Sequence, residues 1–133
     1  MASSRPQKLQ VDLLDFAPFS EPRKNCGAGP ETLVGATFTV RVMNILGDTP
    51  LRIGEAKAVV RDAEILCDPE QGKVLCQDVA LQPGEERTYT DTHSARVRVD
   101  ERTPPELQII FAWGPIGGRV RTTCVRRQLP FGK

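Results

Sequence analysis

Aromatic side chains are scarce: one Trp, one Tyr and five Phe make up 5% of 133 residues. A core must therefore rest mainly on Val, Leu and Ile. Histidine occurs once, as His93, and none of the four cysteines forms a Cys-x-x-Cys pair, which argues against a zinc centre. Gly-x-Ser-x-Gly is missing, and Ser3, Ser4 and Ser20 have no nucleophile-elbow context. The run Asp91-Thr92-His93-Ser94 offers no relay, because neighbours on a strand point to opposite sides. His93 is expected to be an exposed strand residue. Calcium would need a loop of closely spaced carboxylates. Asp12/Asp15, Asp62/Glu64 and Asp68/Glu70 lack that pattern and read as solvated turns and faces. Catalysis, a cofactor and a bound metal are all unexpected.

Long apolar runs are absent too. None approaches the roughly 20 residues that cross a bilayer, so no membrane span is expected. Met1 to Lys8 lacks the apolar stretch of a secretory signal. Two readings follow: no export by that route, or a signal not included in this sequence.

What is present centres on Glu106 to Val125. Leu107, Ile109, Phe111 and Trp113 fall two apart and share one face of a strand. A glycine-rich turn, Gly114-Pro115-Ile116-Gly117-Gly118, follows, and Val120, Thr122 and Cys124 repeat the period. That is a β-hairpin, and the turn explains the glycines without any phosphate-cradling role. Residues 1–7 read as a flexible tail, and 8–133 as one domain. Lys8 to Phe16 suits a first strand, with Leu9, Val11 and Leu13 alternating with Gln10, Asp12 and Leu14. Residues 17–35, with Pro18, Pro22 and Pro30, read as a long irregular segment. Ala36 to Leu46 alternates cleanly, with Phe38, Val40 and Val42 inward. Residues 55–66 keep neither period, and strand neighbours favour strand over helix there. Lys73 to Leu81 and Arg87 to Val99 complete seven or eight strands with turn signals about every ten residues. The predicted fold is an all-β, immunoglobulin-like antiparallel β-sandwich.

Four cysteines allow three pairings. Cys67 and Cys76 flank an Asp-Pro…Gln-Gly turn, so a bridge across that hairpin is expected, leaving Cys26 to meet Cys124. Free buried thiols are the alternative. Bridges would imply an extracellular or virion-surface setting.

Net charge is +1, yet residues 1–85 sum to −3 and residues 86–133 to +4. Arg96, Arg98, Arg119, Arg121 and Arg126 are the candidate binding groups. If their strands are neighbours, four guanidinium groups share an outer face that fits an acidic protein surface or another polyanion. Outward positions offer no aromatic platform for bases, so nucleic acid is not the expected partner. Met43, Ile45, Ile110, Ala112 and Val125 place apolar groups on the outer parity, where a wet face would be polar. Coverage by the long N-terminal segment or by another subunit of an assembly would explain them.

Val34-Gly35-Ala36-Thr37-Phe38-Thr39-Val40-Arg41-Val42-Met43-Asn44, followed by Gly47-Asp48-Thr49-Pro50, resembles the opening of bacterial immunoglobulin-like modules of the cell-adhesion-related (CARDB) type. Val79-Ala80-Leu81-Gln82-Pro83-Gly84-Glu85 and Thr88-Tyr89-Thr90 are similar to their later Leu-x-Pro-Gly-Glu turn and strand. The likeness covers roughly residues 34–125 and implies a sandwich that works by presenting surface. The expected function is non-enzymatic: a structural subunit of a larger assembly, such as a virion decoration protein. A secreted or cell-surface adhesion or carbohydrate-binding module is the alternative, and polyanion binding through the arginines is the third reading.

Overall fold

The computed structural model describes residues 8–23, 31–45, 47–61, 64–67, 73–98 and 104–130. The tail expected over residues 1–7, Cys26, Asp62 and Asp68/Glu70 lie outside them. Eight strands are seen: β1 (Lys8–Arg23), β2 (Glu31–Ile45), β3 (Leu51–Arg61), β4 (Glu64–Cys67), β5 (Lys73–Leu81), β6 (Glu86–Arg98), β7 (Glu106–Pro115) and β8 (Arg121–Gln128). They form two antiparallel four-stranded sheets, ordered β1-β2-β6-β4 and β5-β3-β7-β8. The chain is an all-β sandwich.

Alternation builds the core. Val34, Ala36, Phe38, Val40 and Val42 from β2 are all buried, as are Leu107, Ile109, Phe111 and Trp113 from β7. Ala95 and Val97 of β6 and Ile53, Ala56, Ala58 and Val60 of β3 complete the dry interior between the sheets. Gly54 interrupts the β3 register between Ile53 and Glu55, and that bulge shifts the inward parity from odd to even residues. This shift explains why the sequence of β3 keeps no single period. A similar break between Leu13 and Asp15 moves the inward role in β1 from Leu13 to Phe16 and leaves Leu14 51% exposed.

The irregular segment expected over 17–35 is corrected. β1 runs on to Arg23 and β2 begins at Glu31, so Ala17 pairs with Thr37 and Phe19 with Gly35. Pro18 and Pro22 are tolerated because β1 is an edge strand, where a missing N–H need not break a ladder. Gly35 is indispensable here. A Cβ at that position would lie 2.3 Å from the His93 carbonyl oxygen and 2.8 Å from the Phe19 ring.

The Cys67–Cys76 hairpin is corrected as well. β4 pairs with β6 in the first sheet, whereas β5 pairs with β3 in the second. β4 and β5 therefore lie in different sheets and do not form a hairpin with each other. Among the described residues Cys76 and Cys124 carry free thiols.

Asn44 ties the corner where β2 ends. Its side-chain amide donates to the carbonyl oxygens of Thr49 and Leu81, both at 3.0 Å, and it is fully buried. Its backbone exchanges hydrogen bonds with Glu85 and Gly84. Gly84 takes φ 79, the left-handed turn conformation that glycine adopts without strain. The Asn and Pro-Gly-Glu signatures, 40 residues apart in sequence, thus form one hydrogen-bonded corner.

Candidate functional site

The expected arginine face does not exist as one surface. Arg96 and Arg98 lie on β6, in the first sheet, with Arg96 opposite Leu33 of β2. Arg119 sits in the β7–β8 turn, and Arg121 and Arg126 lie on β8, in the second sheet. The two sets therefore belong to different sheets.

Within β8 the parity also differs from expectation. Trp113 pairs with Arg121, so Phe111 meets Thr123 and Ile109 meets Val125. The reason is the turn: seven residues, 114–120, separate the first pair, which keeps odd-numbered residues on the inner side. Arg121 accordingly sits over the Trp113 ring, 5.7 Å from its centroid, instead of on the far face. The indole N–H donates to Thr123 Oγ1 at 2.9 Å, which satisfies the one polar atom of a ring that is 5% exposed. Val125, expected outside, is half-buried against the core. Ile110 does face outward, between Lys57 of β3 and Cys124 of β8. His93, expected to be exposed, is buried at 1% on the inner face of β6.

The two outer faces are built differently. On the first sheet, Thr37 and Thr92 bond through their hydroxyls at 2.8 Å, and Thr39 and Thr90 at 2.9 Å. Arg41 reaches Asp12 at 3.0 Å and Glu86 at 3.6 Å. A hydrogen bond from Gln10, together with Arg41, holds the Asp12 carboxyl below its ordinary range. On the second sheet, Val74, Lys57, Ile110 and Cys124 follow one another across the strands. Val74 is 42% exposed, and the hairpin tip adds Ile116 at 59% and Val120 at 68%.

Beside that tip lies a cleft of about 370 Å³. Gly54, Ala112 and Gly114 floor it, Arg52 and Glu55 stand on the β3 side, and Gly117, Gly118 and Val120 of the turn close it. A Cβ at Gly54 would find nothing nearer than the Ala112 oxygen at 3.8 Å, so the space above it belongs to the cleft. Arg52 pairs with Asp78 and Glu55 lies 3.9 Å from Lys57. Sequence reasoning passed over this site. Its one signal was a glycine inside a strand, which marks a bulge or a close approach.

At the opposite edge, Tyr89 of β6 and Cys76 of β5 meet between the sheets. Burial, with the Cys76 thiol beside it, pushes the Tyr89 hydroxyl up to about 12, and burial raises Cys76 too. A thiol held protonated is a poor nucleophile. Among the described residues no group of three or more His, Cys, Asp or Glu could hold a metal ion, and no helix is long and apolar enough to cross a membrane.

No protein-family model matches the chain, and no curated protein is significantly similar to it. Among solved structures, an ApaA protein from Bordetella pertussis is similar at 18% identity and a TM-score of 0.49, over 97% of this chain and 98% of that one. A structural-genomics target solved by X-ray is similar at 13% identity and a TM-score of 0.43, over 96% of this chain and 88% of that one.

Proposed function

We propose that this chain is a non-enzymatic interaction module, a subunit of a larger assembly such as a virion decoration or other particle-surface protein. The observation that supports this reading is the set of outward apolar side chains on the second sheet, Val74 and Ile110 on either side of Lys57, together with Ile116 and Val120 at the hairpin tip. The first sheet carries paired hydroxyls and ion pairs on its outer face, with Leu14 of its edge strand as its one exposed large apolar side chain among the described residues. Apolar groups gathered on one side of a molecule are favoured where a partner removes them from water.

Native mass measurement of the protein taken from its producing cells tests the reading. A defined complex or particle containing this chain is expected. A solitary monomer at its working concentration, with the same apolar side chains freely labelled by a surface probe, would overturn it.

A cell-surface adhesion or carbohydrate-binding module of the CARDB type is the second reading, favoured by the cleft beside the hairpin. A sugar there would depend on Arg52 and Glu55, because the Trp113 ring faces the core. Gly54→Leu would fill the cleft and abolish sugar binding under that reading, while leaving assembly intact.

A further inference from the structure

A sandwich with two open sheets has four edges, each a row of N–H and C=O groups able to pair with another chain unless something prevents it. In this molecule three edges are blunted, each by a different device. β1 carries Pro18 and Pro22 and a register break at Leu13/Asp15. β4 is four residues long and irregular between Ile65 and Cys67. β5 has a break opposite Ala56/Lys57, and its Asp78 takes φ 52, which kinks the strand out of a flat ladder.

The fourth edge, β8, has none of these. Its pairing with β7 runs unbroken from Glu106–Gln128 to Trp113–Arg121, it contains neither proline nor glycine, and six of its eight residues are exposed. Among the described residues, β7 is the only strand hydrogen-bonded to it. It is also basic. Arg121, Arg126 and Arg127 lie on it and Arg119 just before it, and residues 107–133 contain no Asp or Glu. The Glu106 carboxylate, at the start of β7, lies 3.8 Å from Arg126. Two copies joined antiparallel about Cys124 would set Arg121 against Arg127 at both ends, and directly opposed like charges are unfavourable. The same charge favours a strand of opposite sign.

We infer that β8 is a docking edge that accepts an extended acidic segment of a partner protein as a fifth strand of the second sheet. The inference rests on the interaction-module reading and names its site and its partner chemistry. Main-chain hydrogen bonds supply the attachment, and side chains supply the choice. The arginines fall at the two ends of the strand, Arg121 at one and Arg126 and Arg127 at the other, with Thr122, Thr123, Cys124 and Val125 between them. A complementary segment therefore carries carboxylates at its ends and β-branched residues at its centre. Eight such residues span roughly 27 Å.

The probe is the peptide acetyl-Glu-Glu-Val-Thr-Val-Thr-Glu-Glu-amide, titrated into the full chain and followed by amide hydrogen exchange. Binding is expected to be saturable, to slow exchange along β8 and to leave β1 and β5 unchanged. The lysine counterpart should bind at least about tenfold more weakly, and R126E/R127E should reverse that preference. A version N-methylated at alternate residues keeps every charge but loses the ladder, and its binding should disappear. Equal binding of the methylated and plain peptides would overturn strand addition and leave only polyanion attraction. Protection confined to another edge, or self-association through β8 that excludes the peptide, would overturn it equally. A particle recovered from cells despite peptide failure would retain the assembly reading and discard this edge. Peptide binding by a chain that stays solitary in its source would do the reverse.

Discussion

The two sheets of this sandwich solve the same problem inward and different problems outward. Each inner face is built mainly from Val, Leu, Ile, Ala and Phe, with His93 in the first sheet and Trp113 in the second buried among them. Phe38 and Phe111, from the middle strands of opposite sheets, are exposed by 1% and 0%. Outward, the first sheet pairs its polar groups with one another, Thr37 with Thr92, Thr39 with Thr90 and Arg41 with two carboxylates. The second sheet instead presents Val74, Lys57, Ile110 and Cys124 across its strands, a cleft floored by glycine, and a regular basic edge. Inner faces are set by the need for a common dry core. Outer faces are free to differ, and in that difference the chain shows which side meets something else.

The sharpest way to test the shared core is to cut both halves. Phe38→Ala and Phe111→Ala should each cost about 3–5 kcal/mol in denaturant unfolding, because each leaves a buried cavity. A cost for one of them below about 1 kcal/mol would mean that the sheets do not share one interior. Next in size is the corner that joins the sheets' ends. Asn44→Ala removes two buried hydrogen bonds and strands the Thr49 and Leu81 carbonyl oxygens, a loss of about 1–3 kcal/mol. The outer faces should then separate. Thr39→Ala on the first sheet should cost about 0.2–1 kcal/mol through its cross-strand partner. Ile110→Gln on the second should stay within about 0.5 kcal/mol in the isolated chain, while weakening any assembly that covers it. If Ile110→Gln proved the costlier in isolation, the contrast between the faces would be lost.

Titration supplies the gentlest probe. Tyr89 is the sole tyrosine, so phenolate absorbance reports it alone. Its hydroxyl ionises at about 12 in the folded protein against 10 when exposed, so the folded state holds the proton more tightly. Stability from this group is complete below pH 10 and declines as pH rises from 10 towards 12. A folded-state midpoint near 10 would place the hydroxyl in water and open the seam between β5 and β6. Asp12, on the first sheet, behaves in the opposite sense. Its lowered value means that its contribution is present above the ordinary 3.8 and is lost in more acid solution.

Much of the fold was legible where a strand keeps one parity along its length. Phe38, Val40 and Val42, and Leu107 through Trp113, were read directly from a period of two, and all are buried. Legibility failed where a single residue resets the parity. The break at Leu13/Asp15, the Gly54 bulge and the seven-residue hairpin turn each move a whole run of side chains to the other face. Nothing in composition fixes the count of residues in a turn, so Arg121 and Val125 were assigned to the wrong side. Pro18 and Pro22 misled for another reason. Proline argues against a central strand, yet it is compatible with an edge, and edge status depends on tertiary order. The cleft was invisible because its floor is made of what is missing, a side chain at Gly54.

The path from β3 to β6 has a kinetic consequence. Leaving β3, the chain visits the first sheet for the four residues of β4, returns to the second for β5, and recrosses to place β6 against β2. Neither sheet can be completed from a continuous stretch of chain, so neither can mature while the other waits. Such wiring makes most native contacts distant in sequence, and loops must close before those contacts repay the entropy lost. Refolding should therefore be a single concerted event on a scale of roughly milliseconds to seconds. Strand swapping between copies caught midway would be its characteristic error, with β8 the first strand offered to a neighbour.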